Sequence, residues 1–285
     1  MNKILITGSS GLLGSYLISN IKSKQFKIHR FKRNKFSDLS NEKFCKNYLT
    51  KNNFYAIINL SAITNIDECE KKKELALKVN YKIVKNICDS IKKFHLKTHL
   101  IQLSTDQFYD NFSSNFERKR KCANYYSKTK LMSEKTCLKV NSTVLRTNFS
   151  GKSKNKKRTS FSDWIYKSLV MKKNIFLADD IFFSPLSLKS LSLIIKLILK
   201  KRVNGLYNVG SNKGYSKFEF AIKFAKKLNL DTKNIIRVKY KDINFFAKRN
   251  KDMRMKVSKF EKKFNFKLKN LDFELEQIAI EYRRK

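Results

Sequence analysis

The chain has 285 residues, of which 41% are hydrophobic and 23 are Phe, so it carries enough apolar material for a large core and is not a disordered protein. Lys and Arg number 64 against 23 Asp and Glu, which gives a formal net charge of +41, but these cations are spread along the whole length. We therefore expect a solvated lysine surface that attracts anionic ligands, and no specific nucleic-acid site.

The cysteines predict neither a disulfide framework nor a metal site. They are odd in number and show no C-x-x-C spacing: Cys45, Cys69, Cys88, Cys122 and Cys137. We expect reduced, packed thiols and no bound metal. No signal peptide is apparent, and the longest apolar run, 191–199, is interrupted by Lys196 and too short for a membrane span. The expectation is a cytoplasmic protein without a membrane segment.

A glycine-rich turn follows the first predicted strand. Gly8, Gly11 and Gly14 are spaced G-x-x-G-x-x-G and lead into a predicted helix over 15–21. In such a turn the first glycine allows a tight bend, the second lets the backbone approach a pyrophosphate, and the third lets the helix pack closely on its strand. The chain has only seven Gly in all. We predict a dinucleotide-binding loop, with an ordinary structural turn as the alternative.

The second predicted strand, 26–31, ends in basic residues. Dinucleotide sites for NAD usually carry an acidic residue at this place, which binds the ribose 2′-hydroxyl. Here Arg30 begins the segment Arg-Phe-Lys-Arg, which suits the 2′-phosphate of NADP(H). NAD(H) stays the alternative, because almost any position of so basic a chain carries Lys or Arg. Residues 38–41 then predict a loop and a helix N-cap.

Strands alternate with helices over the next part of the chain. A buried strand at 54–62 precedes a helix over 75–94, and a strand at 98–103 ends on Ser104-Thr105-Asp106. This alternation predicts an α/β fold with a Rossmann-type doubly wound parallel sheet. Ligands of such sheets lie beyond the carboxyl ends of the strands, where the glycine loop, residues 62–64 and residues 104–106 all fall.

A tyrosine and a lysine share one face of the helix predicted at 124–135. Tyr126 and Lys130 are four residues apart, and an ammonium beside a phenol favours its ionised form. The tyrosine then exchanges a proton near neutral pH, while Thr105 holds the reacting oxygen by a hydrogen bond. By itself the pair is compatible with a half-buried tyrosine beside a solvated lysine. After the glycine loop and the Ser-Thr strand end, it predicts a site of hydride transfer.

The composition changes after residue 150. We predict an NAD(P)-binding Rossmann domain over 1–150 and a smaller C-terminal α/β substrate-binding region over 151–285, of which about 174–200 packs back onto the Rossmann part. The predicted elements are strands at 142–147, 174–177 and 205–210, and helices at 161–171, 188–199, 218–228 and within 258–281.

These motifs together resemble the extended short-chain dehydrogenase/reductases, and within them the dTDP-4-dehydrorhamnose reductases. The resemblance covers most of the chain and rests on residues 7–14, 59–64 with Asp67 and Glu70, 104–106 and 126–130, with further landmarks at 146–147, 184–185 and 205–208.

The resemblance implies roles for individual residues. Thr105, Tyr126 and Lys130 would form the catalytic triad, and Thr105, Asp106 and Phe149 would approach the substrate. The residues that would line the cofactor are Gly8, Gly11, Leu12, Leu13, Gly14, Arg30, Asp38, Leu39, Ala62, Ile63, Thr64, Leu103, Tyr126 and Lys130.

The implied activity is NAD(P)H-dependent reduction of a nucleotide-linked 4-keto-6-deoxy sugar, with NADP(H) preferred. Related 4,6-dehydratases need an Asp-Glu pair after the catalytic Thr, and Gln107 cannot act as that base, so dehydration is disfavoured. An epimerase or reductase of another nucleotide sugar, and a non-catalytic binding subunit, remain as alternatives. The segment before Tyr126 lacks the family's usual Pro, and Arg249-Asn250 replaces an Arg-Pro pair. These departures leave the nucleotide, the sugar and the oligomeric state open, with a homodimer among the options.

Overall fold

A computed structural model describes residues 1–21, 24–112, 115–118, 120–155 and 159–283. Within them the strands are β1 (Asn2–Thr7), β2 (Phe26–Arg30), β3 (Ala56–Asn59), β4 (His99–Leu103), β5 (Ser142–Thr147), β6 (Phe149–Ser150), β7 (Ile175–Ala178), β8 (Phe182–Phe183), β9 (Leu186–Ser187), β10 (Gly205–Val209), β11 (Tyr215–Ser216) and β12 (Ile235–Val238).

The helices of these residues are α1 (Leu12–Asn20), α2 (Glu42–Asn52), α3 (Ile66–Lys71), α4 (Lys73–Leu77), α5 (Ile83–Lys93), α6 (Tyr125–Cys137), α7 (Phe161–Val170), α8 (Leu188–Lys201), α9 (Lys217–Lys227), α10 (Ser258–Phe264) and α11 (Leu271–Arg283), with a π-helical turn at Lys78–Lys82 and a 3₁₀ turn at Tyr240–Asp242.

The chain forms two compact units whose segments alternate along the sequence. The first unit comprises Met1–Thr105, Cys122–Arg146 and Ser192–Tyr207, and the second comprises Asp106–Lys121, Thr147–Leu191 and Asn208–Lys285. The units therefore do not follow a single cut at residue 150. The assignment of a cofactor domain to 1–150 and of a substrate region to 151–285 stays a prediction.

The first unit is built on a sheet of six strands in the order β10-β5-β4-β3-β1-β2. The neighbours from β2 through β5 pair in parallel. Strands β3 and β4 are buried along their whole length, as expected of a parallel sheet covered on both faces. Strand β1 lies between β2 and β3, so the order of the strands reverses there, and the crevice beyond that point is where doubly wound sheets bind ligands. The predicted fold class is confirmed.

The second unit has three short strand pairs and a core rich in aromatic rings. Strands β6 and β9 are parallel, as are β7 and β12, whereas β8 and β11 are antiparallel. Phe183, Phe220 and Phe224 are at most 1% exposed and pack with side chains of α11. The predicted α/β character of this part is thereby observed. Within the described residues, no helix combines the length and the apolar character needed to cross a membrane.

Candidate active site

The glycine loop after β1 has the geometry that its spacing predicts. Gly8 has a φ of +59°, and a Cβ there would lie 2.7 Å from the carbonyl carbon of Leu60. A Cβ on Gly14 would lie 2.8 Å from the Cα of Ser9 and closer still to the carbonyl oxygen of Gly8. A Cβ on Gly11 would meet only that same oxygen, at 3.2 Å. Gly8 and Gly14 are therefore required by the fold, whereas Gly11 leaves the backbone open to a ligand.

Helix α1 begins at this loop without a side-chain cap from its N-cap residue. Its N-cap is Gly11, which makes no side-chain cap, and the first turn contains no acidic residue. The first N–H groups of a helix and its positive dipole end attract anions. Leu12 is half-buried and Leu13 is buried. A ligand at this loop would therefore contact the backbone of these residues more than the side chain of Leu13. The loop thus fits the pyrophosphate of a dinucleotide.

A chain of polar side chains connects the carboxyl ends of three neighbouring strands. Thr7 Oγ1 donates to Asn59 Oδ1 at 2.5 Å and accepts the N–H of Leu60 at 3.1 Å. Asn59 Nδ2 donates to Gln102 Oε1 at 2.7 Å, and Gln102 Nε2 donates to the carbonyl of Leu103 at 2.8 Å. Because all these atoms are paired inside the sheet, they fix the strand ends that border the crevice.

Lys130 reaches from α6 to the end of β4. Its ammonium donates to the carbonyl oxygen of Leu103 at 2.5 Å, and the residue is only 3% exposed. Burial lowers the pKa of Lys130 to about 8, while the charge of Glu134 acts in the opposite direction. Tyr126 is buried one helical turn before Lys130, and Thr105 is buried two residues after Leu103. The three predicted catalytic residues therefore belong to α6 and to the end of β4, joined by this hydrogen bond.

A buried ion pair, which we did not predict from the sequence, holds α6 against the sheet. Glu134 accepts two hydrogen bonds from Arg146 of β5, at 2.8 and 2.6 Å, and a third from Ser104 Oγ at 2.6 Å. Both charged side chains are at most 1% exposed. The sequence contains one signal for the position of Glu134: it follows Lys130 by four residues and so lies on the same helix face.

Asn80, in the π-helical turn, is a second polar group that we did not predict. Its side chain accepts the N–H of Ile63 at 2.8 Å and donates to the Ile63 carbonyl at 3.1 Å and to Thr129 Oγ1 at 3.2 Å. Its own carbonyl accepts Ser133 Oγ of α6. Asn80 thus ties the loop after β3 to the helix of Tyr126, and such π turns are frequent at functional sites.

The residues predicted to bind the far end of the cofactor lie in the first unit as well. Arg30 is exposed at the end of β2. Asp38 accepts the N–H of Ser40 and pairs with Arg33 at 3.0 Å and Lys78 at 3.5 Å. Although burial opposes ionisation, the bond from Ser40 and these two cations lower the pKa of Asp38.

A cavity of about 700 Å³ lies beside Asp38 and is lined by Lys35, Lys43, Lys78 and Lys82. Four cations around one cavity make it a place for an anionic group. Of the remaining predicted cofactor residues, Leu39 is buried, Ala62 and Ile63 are half-buried, and Thr64 is exposed.

The predicted substrate residues Asp106 and Phe149 lie in the second unit. Asp106 is 1% exposed, and its carboxylate accepts Asn148 Nδ2 at 2.8 Å and Gln107 Nε2 at 3.3 Å. Burial raises the pKa of Asp106, and the bond from Asn148 and the charge of Lys217 partly offset that effect. Phe149 is half-buried in β6. In the part of the chain that the structure describes, no group of three or more metal-binding side chains occurs.

Comparison with known proteins identifies relatives along the whole chain. The family model described as the RmlD substrate binding domain matches residues 1–284. The spore coat polysaccharide biosynthesis protein SpsK of Bacillus subtilis (strain 168) is 22% identical over 241 residues, which are 81% of each chain.

Solved structures agree in fold over nearly the full length. The dTDP-4-dehydrorhamnose reductase of Bacillus anthracis, crystallised with NADP, superposes with a TM-score of 0.90 at 22% identity and covers 99% of this chain and 100% of its own. A hypothetical dTDP-4-dehydrorhamnose reductase of Sulfolobus tokodaii has a TM-score of 0.82 at 28% identity and covers 97% of this chain and 99% of its own. Since the family model spans almost every residue, the chain belongs to the RmlD substrate binding domain family, as its resemblance to the dTDP-4-dehydrorhamnose reductases predicts.

Proposed function

We propose that this protein catalyses the NADPH-dependent reduction of the keto group of a nucleotide-linked 4-keto-6-deoxy sugar. The observation that carries the proposal is the buried ammonium of Lys130, which lies one helical turn from Tyr126 and binds the carbonyl of Leu103, two residues before Thr105. Membership of the family supports the same reaction class. No comparable arrangement is needed for a protein that only binds a nucleotide.

Tyr126 supplies the proton that the new hydroxyl group requires. Free tyrosine has a pKa of about 10, so it is a poor acid at neutral pH unless its ionised form is stabilised. The ammonium of Lys130, one turn away, provides that stabilisation. Thr105 donates a hydrogen bond to the reacting oxygen and orients it towards Tyr126. NADPH, when bound, supplies the hydride.

The residues proposed to hold the cofactor fit a phosphorylated dinucleotide. Gly11 and the open N-terminus of α1 receive the pyrophosphate. The cations proposed to bind the 2′-phosphate are Arg30 and the lysines that line the cavity beside Asp38. Solved relatives were crystallised with NADP and NADPH, which supports NADP(H) over NAD(H) for this chain.

Asp106 and Phe149 are the proposed contacts with the sugar nucleotide, in a substrate region that we assign to 151–285 together with the residues around Asp106. An epimerase acting on a similar nucleotide sugar is the second candidate, because the same residues exchange protons in that reaction. The described cysteines form no disulfide bond, which fits the reducing, cytoplasmic location that we propose.

The test is oxidation of NADPH by the purified protein in the presence of dTDP-4-keto-6-deoxyhexose. We expect turnover by the wild type and a loss of about 10²- to 10⁴-fold in Tyr126→Phe, which lacks only the proton donor. Tyr125→Phe, the neighbouring half-buried tyrosine, is the matched control and keeps its activity. Wild-type protein that fails to oxidise NADPH, or full turnover by Tyr126→Phe, contradicts the proposal.

A further inference from the structure

Glu70 of α3 binds the first residue of α6. Its Oε2 accepts the backbone N–H of Tyr125 at 2.8 Å, although the two residues are 55 positions apart in sequence. The N-cap Asn124 accepts the N–H of Ser127 at 2.9 Å. The first N–H groups of a helix have no partner within it, and here side chains bind two of them, one on either side of Tyr126. The neighbours of the proposed proton donor are thereby held in place.

The carboxylate of Glu70 also provides a negative charge that α6 lacks. The first turn of α6 contains no acidic residue, and a carboxylate stabilises the positive end of a helix dipole. Oε1 of Glu70 lies 3.5 Å from Nζ of Lys73, whose side chain is more than half exposed. Exposed ion pairs contribute little to stability, so the bond to Tyr125 is the main contact of Glu70.

Helix α3 is also bound to the loop after β3. The thiol of Cys69 donates to the carbonyl oxygen of Ile63 at 3.4 Å, directly before Glu70 in sequence. At the start of α3, the N-cap Asn65 accepts the N–H of Glu68 at 3.0 Å. Ile63 is among the residues predicted to line the cofactor. Helix α3 therefore connects a predicted cofactor loop with the start of α6, and Glu70 makes the contact with α6.

We propose that Glu70 is a positioning residue for the reduction: by holding the N–H of Tyr125, it fixes the phenol of Tyr126 relative to the cofactor loop. Displacement of a reacting group by about 1 Å can lower a rate by about 10²-fold. Because the bond uses the backbone of Tyr125, Tyr125→Phe leaves it intact. This inference rests on the proposed reduction of a nucleotide sugar and adds a residue outside the triad on which its rate depends.

The experiment compares Glu70→Ala with Glu70→Gln, whose amide oxygen still accepts the N–H of Tyr125. We expect kcat for NADPH oxidation to fall by about 10- to 100-fold in Glu70→Ala and to stay close to the wild-type value in Glu70→Gln. KM for the nucleotide sugar stays nearly unchanged in both. The matched control is Glu68→Ala, which removes a carboxylate of the same helix that pairs with Lys72 at 3.7 Å, and it retains the wild-type kcat.

Two further measurements separate positioning from a general loss of stability. In Tyr126→Phe the phenol oxygen is absent, so we expect that adding Glu70→Ala lowers kcat no further. Hydrogen exchange at the Tyr125 amide, which requires no turnover, becomes faster in Glu70→Ala and stays unchanged in Glu68→Ala. Glu70→Met, which keeps a long side chain without the acceptor, provides the same comparisons if Glu70→Ala does not fold.

Other results overturn the inference. An unchanged kcat in Glu70→Ala excludes a positioning role, and an equal loss in Glu70→Gln assigns the effect to the charge instead of the hydrogen bond. A loss that persists in full beside Tyr126→Phe means that Glu70 does not act through Tyr126. Unchanged hydrogen exchange at Tyr125 excludes the contact itself. A wild type without NADPH oxidation contradicts the proposed function, and hydrogen exchange then still tests the contact between α3 and α6.

Discussion

Two effects act in opposite directions on the pKa of Lys130. Burial lowers its pKa to about 8, and the negative charge of Glu134 raises it. Below that pH the ammonium is present, and in the proposed mechanism it stabilises the ionised form of Tyr126; above it the charge is lost. The pKa of Lys130 therefore depends in part on Glu134, a carboxylate whose hydrogen bonds come from Arg146 and Ser104.

We predict a corresponding pH dependence of kcat/KM for the nucleotide sugar. The value falls as the pH rises through about 8, because Lys130 loses its proton there. In Glu134→Gln the same fall occurs at lower pH, since the charge that favours the ammonium has been removed. Steady-state rates over a pH series check both curves.

Glu134→Gln also separates the Arg146 guanidinium from its partner, and breaking a buried pair typically costs about 3–5 kcal/mol of folding stability. Urea denaturation must therefore accompany the kinetic measurement, to show that the variant is folded at each pH. A pH profile that is identical in the two proteins would mean that Glu134 has no electrostatic influence on Lys130.

Among the structural elements, the turn between β1 and α1 contains glycines that have different roles. Gly14 is required because a Cβ there would overlap the backbone of Ser9, whereas a Cβ on Gly11 would make one tight contact, at 3.2 Å from the carbonyl oxygen of Gly8. We predict that Gly14→Ala is strongly destabilised. Gly11→Ala is destabilised much less than Gly14→Ala but loses affinity for NADPH, because the added methyl group occupies the place of the pyrophosphate.

Thermal melts and NADPH titrations of the two variants check this prediction. Gly205 is unsuitable as a control because its φ is +132°, so the comparison is made between the two loop variants themselves. Gly11→Ala with unchanged affinity for NADPH would exclude the loop as the pyrophosphate site.

Most strands and helices could be predicted from the sequence, whereas some of their local features could not. Apolar runs and turn residues predicted the parallel strands closely, and β5 begins and ends where expected. The helix predicted over 75–94 contains the π turn Lys78–Lys82 instead of one continuous α-helix. Helical periodicity cannot show that turn, because it depends on the contacts of Asn80 with Ile63 and α6, which are distant in sequence. Helical spacing puts Glu134 on the same face as Lys130, but that its partner is Arg146 follows from tertiary structure alone.

At the scale of the whole molecule, the net charge of +41 is compatible with anionic small molecules as ligands. The cations do not form one basic arm, and the lysine-lined cavity beside Asp38 is one place where several of them surround a single space. The boundaries of the two units were beyond prediction, because each unit is assembled from three separate segments of the chain. A sequence read in order shows where composition changes, but not which distant segments pack together.

In the proposed reaction a hydride passes from NADPH to a keto sugar, and Tyr126 is the proton donor. The most direct measurement uses NADPH that carries deuterium at the transferable position of the nicotinamide, with dTDP-4-keto-6-deoxyhexose as the acceptor. We predict one deuterium on C4 of the product for each NADPH oxidised, and labelled product from Tyr126→Phe at a rate lower by about 10²- to 10⁴-fold. Sugar that is interconverted without label and without loss of NADPH would contradict the account and indicate an epimerase.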